Sequence, residues 1–293
     1  MKQDAFVSMN IGITGSTGFI GGTLVKRLEG EGFRSIPLDD FVQEEKVNST
    51  DIPKDLAWVL HFGARTSIKE SFQTPFSFYL DNLKSTLKAL HIASVSSATF
   101  LFMSSYVYGK PKYNPIDEKH PVDMENPYMA SKIAGELACQ QFSNLFGYPL
   151  VILRAFNIYG NHNNPGRLIS DLLMCMRNGD PLSINDPSPS RDYIFIRDFS
   201  DLILKIVSKN PPKTGIFNVG SGVSHRNLEV AEIIRELIAE RRPVDIKFHP
   251  RPNEIPECIA DITAVCEAFD WSPRYSLKDG LGEIITTIKL RHT

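Results

Sequence analysis

The chain has 293 residues, 42% of them hydrophobic, and carries 32 basic and 34 acidic side chains for a formal net charge of −2. That length can bury a large core in one big domain or two lobes, and without a lysine- or arginine-rich run the charge excludes a nucleic-acid footprint. No apolar stretch approaches the roughly 18 residues of a membrane span, Met1 to Met9 lacks the shape of a signal peptide, and Cys139, Cys175, Cys258 and Cys266 form neither a CxxC nor a metal-ligand spacing. A reduced, cytoplasmic protein without a metal site is the expectation.

The first informative stretch is NIGITGSTGFIG, Asn10 to Gly21. Ile11 and Ile13 read as the end of a buried parallel strand. Gly15, Gly18 and Gly21 then fall three apart. Leu24, Val25 and Leu28 recur at helical spacing, and Gly30 and Gly32 stop the helix. Strand, glycine turn and helix together offer free N–H groups and a positive helix end to a pyrophosphate. Gly15 permits the tight turn, Gly18 lets phosphates approach the backbone, and Gly21 lets the helix pack against the strand. The spacing is GxxGxxG and departs from the usual GxGxxG fingerprint.

A second strand, Phe33 to Leu38, ends in Asp39-Asp40. An acid about 20 residues past a glycine turn is where adenosine ribose hydroxyls are held. Asp40 reads equally well as a solvated turn. No Arg or Lys stands beside Asp39 to neutralise a 2′-phosphate, which favours NAD over NADP.

Further runs alternate. Ala57 to Phe62 is a buried strand, Pro75 to Val95 a helix, and Thr99 to Met103 another strand. Asn126 to Phe146 is a long helix, opened by Asn126-Pro127 and closed by Gly147, and Leu150 to Leu153 is the next strand. Strands separated by such helices predict a doubly wound parallel α/β sheet. Ligands then bind beyond the strands' carboxyl ends.

His61, at the end of the third apolar run, reads as a packed histidine. Ser104 and Ser105 follow the TFLFM strand, where their hydroxyls reach a bound ligand or cap the turn. Tyr128 and Lys132 are four apart and share a helix face. An ammonium beside a phenol favours phenolate, so the pair suits a general base that takes a proton from a sugar hydroxyl.

In this order the motifs resemble those of the extended short-chain dehydrogenase/reductases, the nucleotide-sugar epimerase/dehydratase family, from about Asn10 to about Leu281. The resemblance implies a Rossmann-type sheet domain with a smaller C-terminal α/β substrate lobe. Thr14–Gly21 resembles the family's cofactor turn, with Gly15, Thr17, Gly18, Phe19 and Ile20 on the cofactor. Asp51-Ile52 resembles its adenine-contacting pair, and Leu60–Ala64 its strand before the nicotinamide ribose, through Phe62, Gly63 and Ala64. Asn82 matches an asparagine that supports the cofactor region. SSYVYG (Ser104–Gly109) and YMASK (Tyr128–Lys132) match the catalytic segments. By that match Ser104, three before Val107, is the catalytic serine, Tyr128 the base, and Lys132 its activator and a ribose contact. LRAFNIYG (Leu153–Gly160) implies Phe156 by the nicotinamide and Asn157 on the sugar nucleotide. RDYIFIRD (Arg191–Asp198) and RPNEIP (Arg251–Pro256) imply Arg191 and Arg251 on a diphosphate and Glu254 at the nucleoside ribose. Two arginines suit a diphosphate through forked, charge-assisted bonds.

The departures narrow the function. Family 4,6-dehydratases carry an acidic pair after the catalytic Ser/Thr, and here those positions are Ser105 and Tyr106, which disfavours that reaction. Glu254 is one methylene longer than the family's aspartate. The resemblance divides the chain into residues 8–157 plus 193–219, binding NAD, and residues 158–192 plus 220–293, binding the sugar nucleotide. It implies a homodimer through the two long helices. The leading reading is an NAD-dependent nucleotide-diphosphate-sugar 4-epimerase working through a transient 4-keto sugar, with Ser104 and Ser105 near the sugar. The alternatives are a 4-ketoreductase spending NAD(P)H on a deoxysugar nucleotide and a catalytically silent NAD-binding protein.

Overall fold

The computed structural model describes residues 9–43, 50–162, 165–249 and 254–290. In the first half β1 (Asn10–Thr14), α1 (Phe19–Gly30), β2 (Arg34–Pro37) and the short α2 (Asp39–Gln43) are followed by β3 (Leu56–His61), α3 (Ile68–Gln73) and α4 (Pro75–Ser96). Next come β4 (Thr99–Met103), α5 (Pro127–Phe146) and β5 (Leu150–Ala155). The second half holds β6 (Asn157–Tyr159), α6 (Leu168–Asn178), β7 (Ser183–Ile184), β8 (Ser190–Phe195), α7 (Ile196–Val207) and β9 (Gly215–Val219). It closes with β10 (Ser224–Arg226), α8 (Asn227–Leu237), β11 (Asp245–Ile246), β12 (Glu257–Cys258), α9 (Thr263–Phe269) and α10 (Leu277–Leu290).

Six parallel strands form the main sheet in the order β2-β1-β3-β4-β5-β9. The predicted doubly wound α/β architecture is the one observed. Side chains alternate across the sheet. Leu101 and Met103 enter one core with α1 and α7, while Phe100 and Phe102 enter the other with α4 and α5. The strand order reverses at β1, which has β2 on one side and β3 on the other. A crevice therefore opens beyond the end of β1, at the glycine turn.

Local chemistry explains the long helix that borders this crevice. The Asn126 side chain caps α5 by accepting from the Met129 N–H at 2.9 Å, Pro127 occupies its first turn, and Gly147 ends it at φ +75°. The strand expected over Leu150–Leu153 continues through Arg154 and Ala155, because β9 extends the ladder to Asn218 and Val219. The helix α3 carries no strong periodic signal and was not expected.

A small second sheet has the order β10-β8-β12, with β6 also paired to β8. The expected lobe boundaries at 157/158 and 192/193 fall inside β6 and β8. These strands are in register from Asn157–Tyr193 to Tyr159–Phe195, so their shared ladder keeps each strand whole. Only β9 of the segment 193–219 joins the main sheet as a strand. Among the described residues no helix is long and apolar enough to cross a membrane.

At the turn itself Gly15 has φ +70°, and a Cβ there would lie 2.8 Å from the Gly63 nitrogen. A Cβ on Gly21 would strike the Gly15 carbonyl, whose carbon would be only 2.7 Å away. Gly21→Ala must therefore push α1 off the turn. It should destabilise the fold by about 1–3 kcal/mol, read as a lower urea midpoint; an unchanged midpoint would contradict this close packing.

Candidate active site

The glycine turn meets the requirements of a dinucleotide cradle. Gly18 caps α1 without any side-chain cap bond, so the first-turn N–H groups of Phe19, Ile20 and Gly21 precede the helix's internal ladder. Thr17 and Gly18 are exposed beside them. The Phe19 ring stacks on His162 at 4.8 Å, and Ile20 packs on the core. Asp39 stands at the end of β2, as expected, but its carboxylate engages the turn. It accepts from the Gly15 N–H at 2.6 Å, from the Ser16 N–H at 3.1 Å, and from the Ser16 hydroxyl. A carboxylate has about four acceptor sites, so one remains for a ribose hydroxyl. Asp40 is exposed at the start of α2.

The expected adenine pair divides. Asp51 is exposed, whereas the Ile52 side chain is 2% exposed and spent in the core under α4, because it lines the apolar face that β3 shares with that helix. At the end of β3 the N–H groups of Phe62 and Gly63 bond to Thr14, and Gly63 sits against Gly15. Ala64 follows, half-buried. His61 is a packed residue. Its ring nitrogens meet the hydroxyls of Thr14 at 2.6 Å and Thr86 at 3.2 Å, and burial lowers its pKa to about 3. Asn82 ties this region to α5. Its oxygen accepts from the Arg65 N–H, and its amide donates to the Arg65 carbonyl and to Ser131 at 3.0 Å.

Tyr128 and Lys132 lie on the buried face of α5. Burial raises the Tyr128 pKa; a hydrogen bond with Ser105 and the positive charge of Arg167 act in the opposite direction. The Tyr128 ring meets Phe78 edge-on at 6.3 Å. Lys132 does not take the expected role of activator in this arrangement. Its ammonium donates to the Met103 carbonyl at 2.7 Å and lies 4.8 Å from the centre of the Phe102 ring. The physical reason is reach: the long stem carries the charge down the helix face to a strand carbonyl. Burial lowers its pKa to about 8, with Cys139 and Glu136 opposing that shift.

The two serines diverge. Ser104 is 2% exposed and donates to the Glu136 carboxylate at 2.5 Å. Glu136 is in turn gripped by Arg154, through Nη2 at 2.7 Å and Nε at 3.0 and 3.2 Å. Arg154 also donates to the Tyr108 hydroxyl and to the Glu118 carbonyl. Ser105, half-buried, is the serine beside Tyr128. Tyr106 packs its ring against Phe156 and donates to the Gly109 carbonyl at 2.6 Å. Glu136 and Arg154 were missed by the motifs. Their signal was a glutamate four residues past Lys132 and one arginine inside an apolar strand, a pattern that demands a buried partner.

Between β5 and β6, Phe156 is buried in a cluster with Tyr108, Ile116, Cys258 and Ala260. Asn157 donates to the Asp192 carbonyl at 2.9 Å. Arg191 and Glu254 come together as an ion pair, and Arg191 Nη1 also donates to the carbonyls of Ser190 and Ile255 at 2.8 and 2.7 Å. Glu254 is therefore placed on Arg191, since its extra methylene lets it reach the guanidinium. Arg251 lies outside the described residues. No cluster of metal-ligating side chains occurs among the described residues.

A model of the NAD dependent epimerase/dehydratase family matches residues 11–220. A putative UDP-glucose 4-epimerase of Methanocaldococcus jannaschii is 27% identical, over 94% of this chain and 97% of its own. A UDP-glucose 4-epimerase of Mycolicibacterium smegmatis is 28% identical, over 93% and 96%. The crystal structure of a Thermotoga maritima UDP-glucose 4-epimerase with UDP-glucose superimposes with a TM-score of 0.86 at 22% identity, covering 97% of this chain and 100% of that one, a likeness of fold.

The buried ammonium gives a pH signature. Lys132 has a folded-state pKa of about 8 against an ordinary value of 10.5, so between these values the unfolded chain binds more protons. Its contribution is favourable above pH 10.5 and is lost as pH falls through about 8. Relative to a Lys132→Met variant, the wild type should gain on the order of 3 kcal/mol across that window, read by urea unfolding at several pH values. A constant difference would place the ammonium in water.

Proposed function

Because the chain belongs to the NAD dependent epimerase/dehydratase family, we propose that it is an NAD-dependent nucleotide-diphosphate-sugar 4-epimerase. One observation carries the reading. A buried phenol, Tyr128, stands with a serine hydroxyl at the carboxyl end of the same sheet whose first strand runs into the glycine turn. The curated relatives, named as UDP-glucose 4-epimerases, support a UDP-hexose as the first substrate to try. A dehydratase is disfavoured because Ser105 and Tyr106 occupy the positions where that reaction needs acids, and burial holds the Tyr106 phenol far above neutral pH.

The residues would divide the work as follows. NAD, held by the first-turn N–H groups of α1, the turn Gly15–Gly18 and Asp39, would supply the hydride acceptor and donor. Tyr128 takes the proton from the sugar's C4 hydroxyl and gives it back after the 4-keto sugar has turned over. Its burial excludes water from the transfer, while Ser105 and Arg167 favour the ionised phenol. Lys132, on the same helix face, would exchange its bond to the Met103 carbonyl for a ribose hydroxyl when NAD is bound. Asn157 and Arg191 would bind the sugar nucleotide, with Arg251 assigned on sequence alone. The division into 8–157 plus 193–219 for NAD and 158–192 plus 220–293 for the sugar nucleotide belongs to this reading, as does a cytoplasmic location, where four free cysteines stay reduced.

The reading includes a homodimer through α4 and α5. Phe76, Leu80 and Leu87 of α4 and Leu137 of α5 are exposed on outer faces of this helix pair. Such an apolar stripe favours a partner surface. Sedimentation at micromolar concentration should give a dimer that Leu80→Glu with Leu137→Glu converts to a monomer, and a monomeric wild type would end this part of the proposal.

The function is tested by denaturing purified protein without added cofactor and identifying the nucleotides released. Near-stoichiometric NAD(H) is the expected result, since an epimerase keeps its cofactor through the cycle. An empty protein that binds NADPH in preference would point to the ketoreductase. With UDP-galactose, Tyr128→Phe should lose about 10²-fold or more in kcat while retaining nucleotide binding. Undiminished turnover would remove Tyr128 from the mechanism.

A further inference from the structure

We propose that His61 is a positioning residue: with Thr14, Thr86, Asn82 and Ser131 it forms one buried hydrogen-bonded chain that sets where the helix of Tyr128 stands relative to the glycine turn. The cofactor and substrate named here rest on the epimerase reading; the chain itself rests on geometry.

The bonds run without a break from one element to the next. Thr14 is the last residue of β1 and the neighbour of Gly15. Its Oγ1 accepts from the Gly63 N–H at 3.1 Å and lies 2.6 Å from His61 Nδ1. On the far side of the ring, His61 Nε2 lies 3.2 Å from Thr86 Oγ1. Thr86 donates its one hydroxyl hydrogen to the Asn82 carbonyl at 2.9 Å, one turn back along α4. The Asn82 amide donates to Ser131 Oγ at 3.0 Å, and Ser131 donates to the Tyr128 carbonyl at 2.7 Å. Side chains of β1, β3, α4 and α5 are thereby joined, none of them more than 4% exposed.

These bonds allow one direction only. The Thr86 hydrogen is spent on a carbonyl, which cannot donate, so toward His61 that oxygen accepts and Nε2 carries the ring proton. A neutral imidazole then has a bare Nδ1, which accepts the Thr14 hydroxyl hydrogen. Burial and the charge of Lys132 hold the ring in that neutral form. Each hydrogen already has its acceptor, so the chain moves no proton and acts by placement. At one end Gly63 is pressed against the turn, since a Cβ on Gly15 would lie 2.8 Å from its nitrogen. At the other end the chain holds the main chain of Tyr128 itself. Directional bonds fix what apolar contact leaves free. A slip at any link changes the distance between the NAD cradle and the phenol, and a misplacement of about 1 Å costs on the order of 10²-fold in rate.

The test breaks the chain at its centre with a change that keeps the shape. Thr86→Val removes the hydroxyl, and Thr86→Ser retains it. With isotope-labelled histidine, nitrogen NMR should show that the ring whose signals move in Thr86→Val is neutral near pH 7 in the wild type, with its proton on Nε2. NAD-loaded Thr86→Val should release NAD about tenfold faster. With UDP-galactose its kcat should fall about 10- to 100-fold at an unchanged KM, because the sugar nucleotide is held by the other lobe. Thr86→Ser should restore both. A charged ring, or a proton on Nδ1, overturns the chain. A Thr86→Val protein that melts at a lower temperature yet keeps wild-type NAD release and kcat makes these residues structural only and overturns the proposal. If NAD release follows Thr86 in a protein inert toward UDP-galactose, the positioning role stands and the sugar reading falls.

Discussion

The ion pair between Arg154 and Glu136 fixes the geometry on which the rest of the site depends. It joins β5 to α5 inside the protein, with both side chains almost wholly buried. Apolar contacts set how close α5 lies to the sheet: a Cβ on Gly135 would come within 2.6 Å of the Phe102 ring. They do not set its position along its own axis, because burial is non-directional. Forked bonds from a planar guanidinium are directional, and they stop α5 from sliding. Removing either partner would strand a buried charge at a cost of about 3–5 kcal/mol. The pair is tolerable because its remaining capacity is met by Ser104, by the Tyr108 hydroxyl and by the Glu118 carbonyl. The network then runs on from Tyr108 to Asn218 of β9.

Above this anchor the charges are arranged by burial. His61, Lys132 and Glu136 are all buried around β3, β4 and α5. Burial and the charge of Lys132 keep His61 neutral at any working pH. Lys132 therefore faces a neutral ring on one side and a carboxylate one turn along its helix on the other. Tyr128 sits nearer the crevice, where burial opposes its ionisation and only Ser105 and Arg167 relieve it. Charge in such surroundings is poorly screened, so single hydrogen bonds decide which groups ionise.

Much of this was legible in the sequence. The glycine spacing located the turn, and the apolar runs located five of the six strands of the main sheet. The pair of Asn126 and Gly147 bounded α5, and the spacing of Tyr128 and Lys132 put them on one helix face. Which atom each side chain chooses was less legible. Periodicity assigns a residue to a face and leaves its rotamer open. Lys132 thus shares a face with Tyr128 yet gives its ammonium to Met103. Ser104 and Ser105 are adjacent, and only the extra rung of the β4 ladder separates their surroundings. β6 was hidden because a strand of three residues leaves little pattern of its own.

The same limit bears on the Arg191–Glu254 pair and on how a diphosphate would be received. Arg191 Nη1 is fixed by two backbone carbonyls, those of Ser190 and Ile255. The guanidinium is therefore oriented before any ligand arrives, while Glu254 holds it only through a side chain. Under the nucleotide-sugar reading, an incoming diphosphate replaces one acceptor with another and leaves the arginine in place. The exchange trades one charge-assisted contact for another, and it spares the ordering of a long side chain.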